Sequence, residues 1–152
     1  MNQQTSEVVI EKSVTVSVST EEAFRVFTEG IGAWWPSERY SVDPDNMQAV
    51  ILERWEGGRI IERTAAGDEH VWGTLRAWEP PHRLVSTWHP GRGAQTAQEI
   101  EVTFVSIGDA TRVHLRHRGW ENVVDDRDER MANYREGWDL VLSQYAQAAE
   151  RN

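Results

Sequence analysis

Two histidines lie three positions apart in the segment Thr111 to Arg118, at His114 and His117. In a β-strand that spacing sends them to opposite faces, because side chains alternate with period two. One metal ion cannot be held from both faces, and no other His, Asp or Glu pair stands at ligand spacing, so no metal site is expected. His117 shares its face with Val113 and Leu115. That places the imidazole toward an apolar interior, either as a proton carrier or ligand contact, or as a buried histidine satisfied by its neighbours. Glu53 and Glu62 lie in two segments joined by a glycine turn. A carboxyl group turned into an apolar space would suit proton transfer, whereas one on an exposed edge would be matched by Arg54, Arg59 or Arg63. His117, Glu53 and Glu62 are therefore the candidate acid–base groups. Asp43 and Asp45, and the run Asp125, Asp126 and Asp128, fall in loops or at a helix start, where capping accounts for them.

The aromatic residues make the stronger case. The chain has 152 residues and eight tryptophans, and rings of that size either fill a core or line a concave site, with indole N–H groups that need partners. Trp34, Trp35, Trp72, Trp88, Tyr134 and Trp138, with His117, are the expected ligand-lining set around a small hydrophobic or aromatic molecule; a solid aromatic core is the alternative. Gly137 sits on the same helical stretch as Tyr134 and Trp138. Glycine within a helix costs about 1 kcal/mol against alanine, which points to a close approach there.

The elements that must position these residues follow from periodicity. Glu7 to Val18 alternates as a half-buried strand, and Ser19 three residues before Glu22 forms a capping pattern for two short helices that break near Gly30 and Gly32 and end at Pro36. Strands are expected over Gln48–Trp55, Arg59–Thr64, His70–Trp78, Arg83–His89, Gln98–Ile107 and Thr111–Arg118. Glu56-Gly57-Gly58 and Gly108-Asp109 mark hairpin turns, and Pro90-Gly91-Arg92-Gly93 a mobile loop. Met131, Tyr134, Trp138, Val141, Leu142 and Tyr145 recur at helical spacing, so a long helix capped by Asp126 should run to about Ala149. The expected architecture is α+β, a curved antiparallel sheet of about seven strands around a long C-terminal helix, in a single domain over residues 1–152.

Charge and composition narrow the partners. A net charge of −9 repels phosphate backbones and anionic bilayers, so neither nucleic acid nor membrane is an expected partner. The row Arg112, His114, Arg116 and Arg118 is read as a solvated face, matched across a hairpin by Glu99 and Glu101. The start Met1 to Glu7 carries no targeting pattern, and the absence of cysteine suits a reducing compartment, so a cytoplasmic location is expected. No phosphate loop or cofactor fingerprint occurs, and no cofactor is expected.

The stretch Gly73 to Trp88, with Pro80-Pro81-His82-Arg83 at its centre, resembles the most recognisable segment of the START-like proteins related to activators of the heat-shock-protein-ninety ATPase. Trp34-Trp35-Pro36, Glu56-Gly57-Gly58-Arg59, Thr111-Arg112-Val113 through His117-Arg118-Gly119-Trp120, and Gly137-Trp138 agree in order with the same family, and Tyr40 stands where close relatives place a histidine before Ser-Val. The resemblance implies a helix-grip fold and spans lipid carriers, polyketide cyclases and co-chaperones. It leaves three functions side by side: non-catalytic binding of a small hydrophobic molecule, a cyclase- or hydrolase-like enzyme using His117 with Glu53 or Glu62, and a co-chaperone-like domain with a chaperone partner. A homodimer is compatible with each.

Overall fold

The computed structural model describes residues 8–151. The polar start Met1 to Glu7, including the first residue of the expected opening strand, lies outside it. Seven strands are described: β1 (Ile10–Val16), β2 (Met47–Leu52), β3 (Arg59–Thr64), β4 (Glu69–Glu79), β5 (Arg83–Trp88), β6 (Gln98–Ile107) and β7 (Ala110–Arg118). They form one antiparallel sheet in the order β1-β7-β6-β5-β4-β3-β2. Helices α1 (Thr20–Thr28) and α2 (Ile31–Trp34) follow β1, and α3 (Arg127–Glu150) closes the chain. The sheet curls about α3, which is the helix-grip arrangement.

Local chemistry explains most boundaries. The Ser19 hydroxyl accepts from the Glu22 amide at 3.1 Å and starts α1. The turn between β6 and β7 has two residues, because Ile107 pairs with Ala110, and only Gly108 takes positive φ there (59°), the place a primed turn reserves for glycine. That turn sets the register Glu99↔Arg118 and Glu101↔Arg116. Arg118 accordingly meets Glu99 at 2.7 Å and Glu101 at 3.1 Å, and His114 meets Glu11 of β1 at 2.9 Å. His114, Arg116 and Arg118 of the basic row thus form a cross-strand ion network on the outer face, while Arg112 makes no ion pair with a described residue.

Most element ends shift from expectation by one or two residues, and two differences have a visible local cause. β2 stops at Leu52 rather than Trp55: the Glu53 amide still reaches the Arg59 carbonyl at 2.9 Å, but the chain then turns tightly, the Gly58 amide bonding the Trp55 carbonyl at 2.9 Å. Asp126 holds the N-cap position of α3 in a left-handed conformation (φ 58°), and its side chain caps nothing.

Two of the three register shifts in the sheet fall in β4. Ile60 and Ile61 of β3 pair with Gly73 and Val71, so Trp72 is an extra residue on β4; Leu75 and Ala77 pair with Ser86 and Val85, so Arg76 is a second. Bulges of this kind bend a strand and re-aim side chains. The bulge at Trp72 turns its indole into the core, where the ring is fully buried. α3 lays Met131, Trp138, Val141, Leu142 and Tyr145 on the concave side, and the Tyr145 hydroxyl donates to the Ala23 carbonyl at 2.8 Å, fastening α3 to α1.

Candidate functional site

Aromatic rings fill the space between the middle of the sheet and α3. The Trp35 and Trp72 centroids are 4.9 Å apart, Trp72 and Trp88 5.7 Å, and Trp88 and Trp138 5.5 Å, separations at which tilted rings attract. A hollow of about 480 Å³ opens where this cluster ends. Its floor is Trp35 and Trp88; one wall is the α3 face with Tyr134, Gly137, Trp138 and Val141. The opposite walls are the loop from Arg39 to Val42 and the loop from Pro90 to Arg92. The hollow therefore sits at the end of the grip, roofed by loops, rather than beneath the centre of the sheet.

Four of the aromatic residues singled out in the sequence, Trp35, Trp88, Tyr134 and Trp138, meet at this hollow. Trp34 does not: its indole donates to the Val26 carbonyl at 2.8 Å, and its ring packs beside Phe27 and Tyr145. Trp72 lies one ring behind the floor and donates to Glu62 at 3.1 Å. Sequence reasoning missed Arg39, Asn133 and Arg92 on the lining, for these stand in loops or on a polar helix edge with no periodic signal.

His117 is fully buried behind Trp138 and Tyr134. An indole can only donate, so the Trp138 Nε1–H, 3.0 Å from Nδ1, fixes Nδ1 as acceptor. The proton then belongs on Nε2, 3.1 Å from the Gln98 Oε1, and the Gln98 amide passes the chain on to the Thr96 carbonyl at 2.6 Å. Burial, with a smaller contribution from the positive charge of Arg130, pushes the His117 pKa down to about 3. The ring is thus a neutral joint between β7, β6 and α3.

The two glutamates part company. Glu53 is clasped by Arg59, with Nη2 to Oε2 at 2.9 Å and the Arg59 amide to Oε1 at 2.7 Å, and the hydrogen bonds from Arg59 hold its carboxyl below the usual range. Glu62 is fully buried rather than an edge charge. Its Oε1 accepts from the Val42 amide at 2.7 Å and from Trp72, and its Oε2 from the Asp43 amide at 2.7 Å. Glu62 thereby ties the loop that walls the hollow to β3. Neither glutamate nor His117 lines the hollow, and the three are not brought together. Among the described residues no group of three or more His, Asp or Glu could hold a metal, and no helix is long and apolar enough to cross a membrane.

Tyr134 is the polar group of most interest in the hollow. Its hydroxyl accepts from the Trp88 indole at 3.1 Å, and its own proton has no acceptor among the described residues. Burial raises its pKa, offset in part by the Trp88 hydrogen bond, so the hydroxyl keeps that proton and can offer it. A β-carbon at Gly137 would lie 3.4 Å from Cζ of Tyr40 and 3.5 Å from its hydroxyl. One methyl group fits there and anything larger meets the ring. Gly137→Ala is therefore expected to raise stability by up to about 1 kcal/mol through helix propensity, read as a higher Tm; a lower Tm would show that the Tyr40 ring cannot yield.

The profile of a family described as activator of Hsp90 ATPase homolog 1-like protein matches residues 17–150. The chain belongs to this family. Solved structures similar to this member of the activator of Hsp90 ATPase homolog 1-like family include the anthrahydroquino-γ-pyrone synthase Txn09, at 30% identity over 93% of this chain and 97% of that one, with a TM-score of 0.61. Another is CalC from Micromonospora echinospora, a self-sacrificing resistance protein, at 27% identity over 94% of each chain and a TM-score of 0.69. The Aha1 dimer from Colwellia psychrerythraea shares the fold at 17% identity over 94% of this chain and 96% of that one, with a TM-score of 0.66. No curated protein matches the chain.

Proposed function

We propose that the hollow receives a flat aromatic small molecule, which it holds between tryptophan faces and orients through the Tyr134 hydroxyl. The observation that carries this reading is the aromatic floor and wall of Trp35, Trp88 and Trp138 around a hollow of about 480 Å³, lined also by the half-buried Tyr134, whose hydroxyl proton has no acceptor among the described residues. That volume lies within the ~300–1,000 Å³ usual for small-molecule sites, and few, well-placed polar groups on apolar walls are their usual composition. The 30%-identical relative supports the same class of ligand, since a synthase named for an anthrahydroquino-γ-pyrone handles a fused ring system.

Titrating the purified protein with hydroxylated naphthoquinones and anthraquinones by calorimetry tests the proposal. Saturable binding with a raised Tm is expected; at a free ligand concentration of about 100 Kd the stabilisation should be about 2.7 kcal/mol. Asn133→Trp, at an exposed position on the lining, should obstruct the hollow and abolish the heat while the fold persists by circular dichroism. A panel giving neither heat nor a Tm shift would sink the reading. The synthase relative also favours a second reading, turnover of the bound aromatic with Tyr134 as proton donor. Chromatography of the ligand after incubation separates it from simple binding, and loss of any conversion in Tyr134→Phe is its expected signature.

A further inference from the structure

The hollow carries a charge that the rest of the molecule does not prepare for. The chain has 25 acidic and 16 basic residues, so carboxylates are in excess over its cations. Arg25, Arg59, Arg63, Arg83, Arg116 and Arg118 each lie within 4 Å of a glutamate. Arg39 and Arg92, on the two loops that roof the hollow, make no ion pair with any described residue; Arg39 instead lies over the Tyr40 ring, 5.7 Å from its centre. Arg130, one turn before Tyr134, is half-buried and likewise forms no ion pair with a described residue.

Arg130 is also badly placed for its own helix. It lies in the first turns of α3, whose N-terminal end already carries partial positive charge. Its pKa is lowered by burial and then by the like charge of Arg92, against a smaller opposing influence from Tyr134 and Asp126. A partly buried cation that also feels a like charge is costly unless an anion compensates it. Arg76, Arg112, Arg127, Arg135 and Arg151 form no ion pair with a described residue either, but each is exposed and none lines the hollow.

We propose that the hollow selects anionic aromatics, with the carboxylate or ionised phenol of the ligand held at the mouth by Arg92 and Arg39 and with Arg130 reinforcing the field behind them. This rests on the proposed aromatic-binding reading and names its ligand class. The rings enter against Trp88 and Trp138, and the anion stays outermost, between the two loops. Guanidinium groups suit this task because they pair with carboxylates in a planar fork and stack on aromatic faces. The whole-molecule charge of −9 repels such ligands, so attraction must be local.

The test uses a matched pair of probes, anthraquinone-2-carboxylate and anthraquinone-2-carboxamide, titrated by calorimetry into the full-length protein. The acid is expected to bind at least ten-fold tighter than the amide, an advantage that shrinks between 50 mM and 500 mM NaCl. Arg92→Gln and Arg39→Gln should each cut the acid-to-amide ratio several-fold, and the double variant should bring it near one while still binding the amide. Arg112→Gln, away from the hollow, is the control and should leave the ratio unchanged. Equal binding of acid and amide, or a ratio that falls as much in Arg112→Gln as in Arg92→Gln, would overturn charge selection while leaving the aromatic hollow intact. Failure of both probes to bind would instead remove the aromatic-binding reading itself.

Discussion

Replacing Glu62 by leucine should cost about 3–5 kcal/mol of stability, even though the two side chains are similar in size. The carboxylate is fully buried and has no cationic partner among the described residues; its hydrogen bonds there all come from N–H donors, of Val42, Asp43 and Trp72. Leucine leaves those donors without an acceptor, and each buried unsatisfied group costs about 1–3 kcal/mol. Part of the cost is recovered because the segment from Ser41 to Asp43 can turn toward water, which is why the sum falls below the maximum. Glutamine should be intermediate, at about 2 kcal/mol, since one amide oxygen can serve one or two donors while the NH₂ is set against the remaining one. Urea unfolding checks the order wild type, Glu62→Gln, Glu62→Leu. A leucine variant within 1 kcal/mol of wild type would mean that the loop is not anchored here. Because Val42 walls the hollow, ligand affinity should fall in the same order.

The difference between Glu62 and Glu53 also marks where a sequence stops being legible. Alternation along β7 separated His114 from His117 correctly, and the short Gly108-Asp109 turn was enough to place Glu99 and Glu101 beside the arginines. Both inferences use contacts within one strand or one hairpin. Glu62 depends on amides some twenty positions away and on a bulge that turns Trp72 inward, and period two has no term for an inserted residue. The aromatic set was partly readable for a similar reason. Tyr134 and Trp138 are four apart on one helix and share a face, so both reach the hollow. Trp34 and Trp35 are adjacent where α2 ends, and only Trp35 lines it. Arg39 and Arg92 lie in loops, and their convergence on the hollow is a property of the closed fold alone.

The second large effect is a dependence of stability on pH that a single imidazole creates. His117 has a folded pKa of about 3 against an ordinary value of 6.5, so between those values the unfolded chain takes up a proton that the native state refuses. The contribution is present in full above pH 6.5 and is lost as the pH falls toward 3. Its slope is about 1.4 kcal/mol per pH unit, or about 4–5 kcal/mol over the whole window. The geometry explains the refusal: a proton on Nδ1 would face the Trp138 N–H, donor against donor at 3.0 Å. His117→Asn offers an oxygen near the position of Nδ1, keeps the Trp138 bond, loses the donor to Gln98 and cannot titrate. At pH 7 the variant should be about 2 kcal/mol less stable than wild type for the lost bond. With acidification the wild type alone pays the proton penalty at His117, so the two stability curves should converge and cross near pH 5. Carboxylates titrate alike in both proteins and cancel in the difference. Parallel curves between pH 7 and pH 4 would show that His117 accepts its proton in the folded state, and that the joint between β7 and α3 is open to water.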